Sequence, residues 1–153
     1  MKIGHVHLTV SNLDKSLAFY RDLLGFQVTQ RYGDSAVFLS DSGYHHHIAL
    51  NIWAGADAKP APEGHTGLYH LAVLFDTRKE LAEVLKKFLV AEYPITGFAD
   101  HGVSESIYLD DPDGNGVELY VDRPEENWPR QKDGTLSMVT EPLDLENLLS
   151  EIE

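Results

Sequence analysis

The sequence predicts an α+β protein made of two paired β-α-β-β-β modules whose curved sheets enclose a cavity. Three observations carry this reading: an internal repeat, short segments alternating apolar and polar residues, and a helix-period stripe after the first segment of each half. The stretch HVHLTVSNLDKSLAFYRDLLGFQV, starting at His5, lies over HLAVLFDTRKELAEVLKKFLVAEY, starting at His70.

The opening segment is a strand. Val6, Leu8 and Val10 point one way and His5, His7 and Thr9 the other, as period-2 alternation requires. Asn12 and Thr77 occupy matching places in the repeat and are expected N-caps, Thr77 with Glu80 forming a capping box. Leu17, Tyr20 and Leu24 make the apolar stripe of the first helix, answered by Leu81, Leu85, Phe88 and Leu89 in the second; Gly25 closes the first. Further strands are expected in SAVFLSD and HHIALNIW, then in SESIYLD and GVELYVD, separated by the turn signals DSGY and DPDGNG. This places the first module at 1–53, a linker rich in Ala, Pro and Gly at 54–67, and the second module at 68–123. The tail, 124–153, ends in a short amphipathic helix with Leu145, Leu148, Leu149 and Ile152 on one side, read as packing, a lid or a dimer contact.

The totals bound the function. A formal charge of -13, from 12 Lys+Arg against 25 Asp+Glu, argues against nucleic acid and anionic membrane surfaces, which need a basic face. The absence of cysteine excludes disulfide scaffolds, thiolate metal sites and cysteine nucleophiles. No leader pattern and no apolar run of spanning length is present, so a soluble cytoplasmic protein is expected. A homodimer or higher homo-oligomer acting on a small molecule is the expected form.

Eight histidines are the main lead. Adjacent histidines on a strand face opposite ways, so His45, His46 and His47 cannot converge on one ion without breaking that strand. Parity turns His5, His7 and Thr9 toward the cavity, with His70 and Ala72 in the second half. It also turns Glu118 and Tyr120 inward, because Val117, Leu119 and Val121 form the apolar set, and Tyr108 likewise. Parity does not separate His5 from His7, but the repeat register pairs His5 with His70. His5, His70 and Glu118 are therefore the expected ligands of a metal-binding cavity, and Trp53, Phe98 and Tyr120 candidates for its walls.

The blocks HVHLTVSNLDKSLAFYRDLLGF, GLYHLAVLFDTRKELAEVL and SIYLDDPDGNGVELYVDRP resemble the vicinal oxygen chelate superfamily, which includes glyoxalases, fosfomycin-resistance enzymes and extradiol dioxygenases. The tail DRPEENWPRQKDGTLSMVTEPLD resembles that of catechol 2,3-dioxygenase-like chains. The resemblance implies an extradiol dioxygenase with His5, His70 and Glu118 on Fe(II), with Mn(II), Zn(II) or Ni(II) possible. Two imidazoles and one carboxylate leave positions open for two catechol oxygens and dioxygen. It further implies catalytic roles for Tyr108, ten residues before Glu118, for His101, and for an acid-base histidine at the start of HHIAL. Matching IAL gives His46; parity gives His47, on the face of Ala49 and Asn51; both stay open. The resemblance leaves two alternatives: another metal-dependent enzyme, of the glyoxalase or fosfomycin thiol transferase type, or a metal-free bleomycin-resistance-like binder. The absence of an acid between Ile48 and Trp53 counts against a glyoxalase.

Overall fold

A computed structural model describes residues 1–55, 57–62 and 64–153; Ala56 and Glu63, both within the expected linker, lie outside the described residues. The chain divides into two compact units, residues 1–68 with the turn 111–115, and residues 69–110 with 116–153. Each contains one four-stranded mixed sheet with helices on one face, so the architecture is α+β.

In the first unit the strands are β1 (Val6–Thr9), β2 (Gln27–Tyr32), β3 (Ala36–Ser40) and β4 (Ile48–Asn51), in sheet order β1-β4-β3-β2. The outer strand β1 runs parallel to β4, and the other two pairings are antiparallel. Alternation decides the faces: Leu8 and Val10 are buried while His7 and Thr9 are exposed. Asn12 caps α1 (Leu13–Leu17) by accepting from the Lys15 N–H at 2.9 Å. The helix then widens into π-helical turns over Ala18–Leu23, where the Leu24 N–H reaches back to the Phe19 carbonyl. Leu17, Phe19 and Tyr20 are fully buried there, and Gly25, at φ 98°, ends the element in the left-handed region. β2 was not singled out by its sequence, and it carries an irregularity at Thr29 that shifts its register against β3.

The turn read as DPDGNG is built on a buried acid. Asp111 Oδ1 accepts from the N–H groups of Asp113 and Asn115, and Oδ2 from the Asn115 amide and, at 2.9 Å, the Tyr20 hydroxyl. Asp113 in turn accepts from the Ser11 N–H. With four donors on one carboxylate the buried charge is matched, as it must be to be tolerated.

The second unit repeats the plan with β5 (His70–Phe75), α2 (Arg78–Val90), β6 (Gly97–Asp100), β7 (Ser104–Asp110) and β8 (Gly116–Asp122), in sheet order β5-β8-β7-β6. β6 too is a strand that the sequence reading did not name. The expected capping box is present: the Thr77 hydroxyl accepts from the Glu80 N–H, and Glu80 accepts from the Thr77 N–H. Leu81, Leu85 and Phe88 are buried against the sheet, but Leu89 is 47% exposed and does not belong to the stripe. A residue directly after Phe88 is turned about 100° round the helix, which carries it off the buried face.

The tail is part of this unit. Strand-like bridging joins Asp100 to Glu141 with both backbone hydrogen bonds made, and α3 (Leu145–Leu149) buries Leu148 completely. Buried Glu105 accepts from Arg78 Nε and Arg123 Nη2, each at 2.9 Å, while Arg78 also donates to Asn147 and Glu151 of the tail. Among the described residues no helix is long and apolar enough to cross a membrane. Thr77→Ala should lower stability by about 1 kcal/mol through loss of the cap. Urea unfolding followed by circular dichroism measures it, and an unchanged midpoint would contradict the assigned cap.

Candidate metal centre

On the second sheet, β5 and β8 are parallel neighbours with His70 opposite Gly116 and Ala72 opposite Glu118. A side chain at Gly116 would meet the Tyr69 carbonyl at 2.3 Å and His70 Cβ at 3.1 Å, so only glycine lets the two strands close at this point. The His70 ring then leans along β8, and His70 Nε2 lies 3.0 Å from Glu118 Oε2. Their side chains are 30% and 13% exposed, which leaves the pair accessible from one side. A hydrogen shared between an imidazole nitrogen and a carboxylate oxygen occupies the place that a divalent ion takes when both groups ligate it. This donor set fits a metal.

The second oxygen of Glu118 is held from the next strand. Tyr108, opposite Glu118 in the β7-β8 register, places its hydroxyl 3.0 Å from Oε1 and 2.7 Å from His101 Nε2. His101 Nδ1 faces the Val139 carbonyl at 2.8 Å and so carries a proton. Tyr108 has one hydroxyl proton and two neighbours able to accept it. Either that proton is divided between His101 and Glu118, or His101 holds a second one and donates to the Tyr108 oxygen. The row Glu118, Tyr108, His101 therefore has one proton position to spare, as a proton-handling site requires. Burial raises the Tyr108 pKa above its ordinary value and Glu118 adds to the rise, so the phenol stays protonated at neutral pH.

One feature of this row had no signal in the sequence, and one expected wall residue lies elsewhere. The Val139 carbonyl that orients His101 belongs to the tail, expected to serve as packing, a lid or a dimer contact. Phe98, expected as a cavity wall, lies opposite Ile107 and thus on the apolar face, away from Tyr108 and Glu118. Tyr120 does share the Glu118 face, one alternation further along β8.

In the first unit, the His46 ring lies 4.3 Å from that of His5 and 5.1 Å from Phe38. Regular strand structure begins only at Ile48, so parity does not govern the orientation of His46. Thr29, at the irregularity in β2, places its hydroxyl 2.7 Å from the His45 carbonyl and so fixes the backbone just before His46. The Nδ1 atoms of His45 and His46 are 2.7 Å apart, one carrying the proton that the other accepts. Burial first, and then neighbouring His5, His45, His7 and His47, lower the pKa of His46, which is neutral at pH 7 and able to take up a proton. His47 is differently occupied: its Nδ1 lies 3.1 Å from Ser40 Oγ and 3.0 Å from Asp41 Oδ1.

His7 and His5 also differ. Asn51 Oδ1 accepts from the Trp53 N–H at 3.0 Å, which turns the Asn51 amide nitrogen toward His7 Nε2 at 3.1 Å. His7 Nε2 is thereby an acceptor already in use. Of the expected ligands, His5 belongs to the first unit and His70 and Glu118 to the second. Among the described residues no group of three or more His, Asp or Glu is drawn together as a complete metal set.

Two mixed sheets of the same order, one bearing a His-Glu pair with its proton row and the other a histidine cluster, define a protein of repeated β-α-β-β-β modules with a metal-type donor set. The chain belongs to the Glyoxalase/Bleomycin resistance protein/Dioxygenase superfamily, whose pattern matches residues 2–119. It is 41% identical over 150 residues to a catechol-2,3-dioxygenase of Bacillus subtilis (strain 168), covering 97% of this chain and 51% of that protein. It is 35% identical over 125 residues to biphenyl-2,3-diol 1,2-dioxygenase 2 of Rhodococcus globerulus, covering 79% of this chain and 63% of that protein. The chain thus spans between half and two thirds of the length of these relatives. A solved glyoxalase/dioxygenase from Nostoc punctiforme shares the fold, with TM-score 0.67 at 18% identity over 80% of this chain and 92% of that one.

The contrast between the adjacent histidines gives a stability prediction. His47→Ala removes a half-buried ring with two polar partners and should cost about 1 kcal/mol, whereas His46→Ala should cost less. Thermal unfolding of the two variants compares them; a larger loss from His46→Ala would contradict the assigned bonding.

Proposed function

We propose that this chain is an extradiol ring-cleaving dioxygenase, acting on a catecholic substrate with O2. The observation that carries the reading is the row on the second sheet: a His70-Glu118 pair whose carboxylate continues through Tyr108 to His101. A protein that only sequesters a ligand has no need of such a row.

In this reading His5, His70 and Glu118 hold the ion, Fe(II) foremost and Mn(II) next, Zn(II) and Ni(II) belonging to the alternatives that consume no oxygen. Bound there, the ion would supply positive charge against the catecholate and a path for electron density from the ring to dioxygen. The remaining work falls to the protein. Tyr108, kept protonated by burial, turns its O–H from Glu118 to a substrate oxygen, and His101 Nε2, held against the same hydroxyl oxygen, passes it a proton when Tyr108 gives one up. His46, neutral and set against the His5 ring, accepts the proton that a catechol loses on binding. His47, held by Ser40 and Asp41, supports the lead-in to β4 instead. Both atoms of O2 enter the product as the carbon-carbon bond beside the hydroxyl pair breaks.

The protein loaded anaerobically with Fe(II) should consume one O2 per catechol and develop the absorbance of a ring-opened product. Glu118→Ala should abolish turnover and iron retention together, and an iron-retaining variant with normal turnover would sink the ligand assignment. His46→Ala should slow turnover about 100-fold and His47→Ala much less. Zinc or nickel bound without oxygen consumption would favour the non-oxidative enzymes, and no affinity for any divalent ion the binder.

A further inference from the structure

We infer that His7 is a specificity-determining residue, its Nδ1–H donating a hydrogen bond to an oxygen acceptor carried on the ring of an aromatic substrate. The inference rests on the dioxygenase reading above and names the class of catechol that it would take: one bearing a carbonyl-type oxygen on a ring substituent.

The argument begins with the tautomer. The Trp53 N–H can only donate, so the Asn51 oxygen must face it and the Asn51 amide must face His7. That amide can only donate, so His7 Nε2, 3.1 Å away, must be bare. A neutral imidazole with a bare Nε2 carries its hydrogen on Nδ1. His7 Nδ1 makes no hydrogen bond to any described residue, and the His7 side chain is on the exposed face of β1. Asn51 is only 4% exposed, so this orienting contact is itself part of the fixed interior.

The surroundings define what the donor meets. The His7 ring stands edge-on to Trp53 at 5.4 Å and to Phe38 at 6.2 Å. Phe38 lies beyond Ala49 in the same cross-strand row, so two aromatic side chains stand beside the His7 ring. Such a wall suits a flat aromatic ring by its faces and edges, and the single polar group then selects what the ring carries. His7 follows His5 on the same side of an extended chain, roughly 6.6 Å further on. This separates the two roles: His5 is placed for the end of the substrate that bears the hydroxyls, His7 for a substituent. The donor is exposed in the free protein, and a bound ring that covers it penalises a substituent that cannot accept, because desolvating an N–H without replacing its partner costs more than a neutral hydrogen bond returns.

The test compares matched pairs, 3- and 4-acetylcatechol against 3- and 4-isopropylcatechol, with unsubstituted catechol as the reference. The Fe(II) protein should favour the acetyl member of at least one pair by about tenfold in kcat/KM, through KM. His7→Phe should bring that ratio close to one, and His7→Gln, which restores an N–H donor, should recover part of it. Independently of turnover, 15N spectra of the metal-free protein should show His7 protonated on Nδ1 and bare on Nε2. A wild-type ratio near one for both pairs, a ratio unchanged in His7→Phe, or a proton on Nε2 would overturn the inference while leaving the dioxygenase reading intact. Failure of the Fe(II) protein to turn over any catechol, unsubstituted catechol included, would overturn both.

Discussion

The arrangement depends on one constraint: a strand offers its side chains to two faces in strict alternation, and a helix occupies one of those faces in each unit. Once α1 and α2 cover the faces of Leu8 and Leu119, His7, Glu118 and Tyr108 have only the other face available. Within each unit, polar and titratable residues of the strands are thereby set on one face of an otherwise apolar sheet. The same alternation makes the site tolerant of change in the cores and intolerant of a register slip, because a shift by one residue would exchange Glu118 for a buried leucine or valine.

Positions are then refined by contacts that do not alternate. Gly116 lets β5 and β8 approach where His70 reaches toward Glu118, and Thr29 holds the backbone before His46. The Val139 carbonyl fixes the protonated nitrogen of His101, and Asn51 fixes that of His7. In each case the orienting group is either backbone or is itself held by backbone. Imidazoles have two distinct nitrogens and little intrinsic preference between them, so a site built of histidines needs an external reference for each ring. The main chain is the most rigid reference available.

This division also explains how much the sequence discloses. The repeat, the caps at Asn12 and Thr77, the stop at Gly25 and the faces of β1, β7 and β8 were legible because they rest on local chemistry or on a period of two. Leu89 was misread because hydrophobicity alone does not tell the buried edge of a helix from the exposed one. The π-helical turns at Ala18–Leu23 and the strands β2 and β6 lack a compositional mark, since their pairing partners decide them. Asp111 looked like turn chemistry only, yet it is buried and accepts from Tyr20, which precedes it by 91 residues in the sequence. A carbonyl oxygen is present at every residue, so no spacing rule could have marked Val139.

The histidine run shows how such local and distant information combine. Three consecutive imidazoles invite a single-ion reading, but their neighbours give each ring a different occupation: His47 with Ser40 and Asp41, His45 against His46, and His46 against His5. His46 escapes strand alternation because regular pairing begins only at Ile48, and that freedom allows its ring to lie beside His5. The irregular lead-in is thus a requirement of the arrangement. Were pairing to extend back through His46, alternation would place it with Ile48 and Leu50 on the buried face, where its imidazole would be desolvated and, in the proposed function, out of reach of substrate.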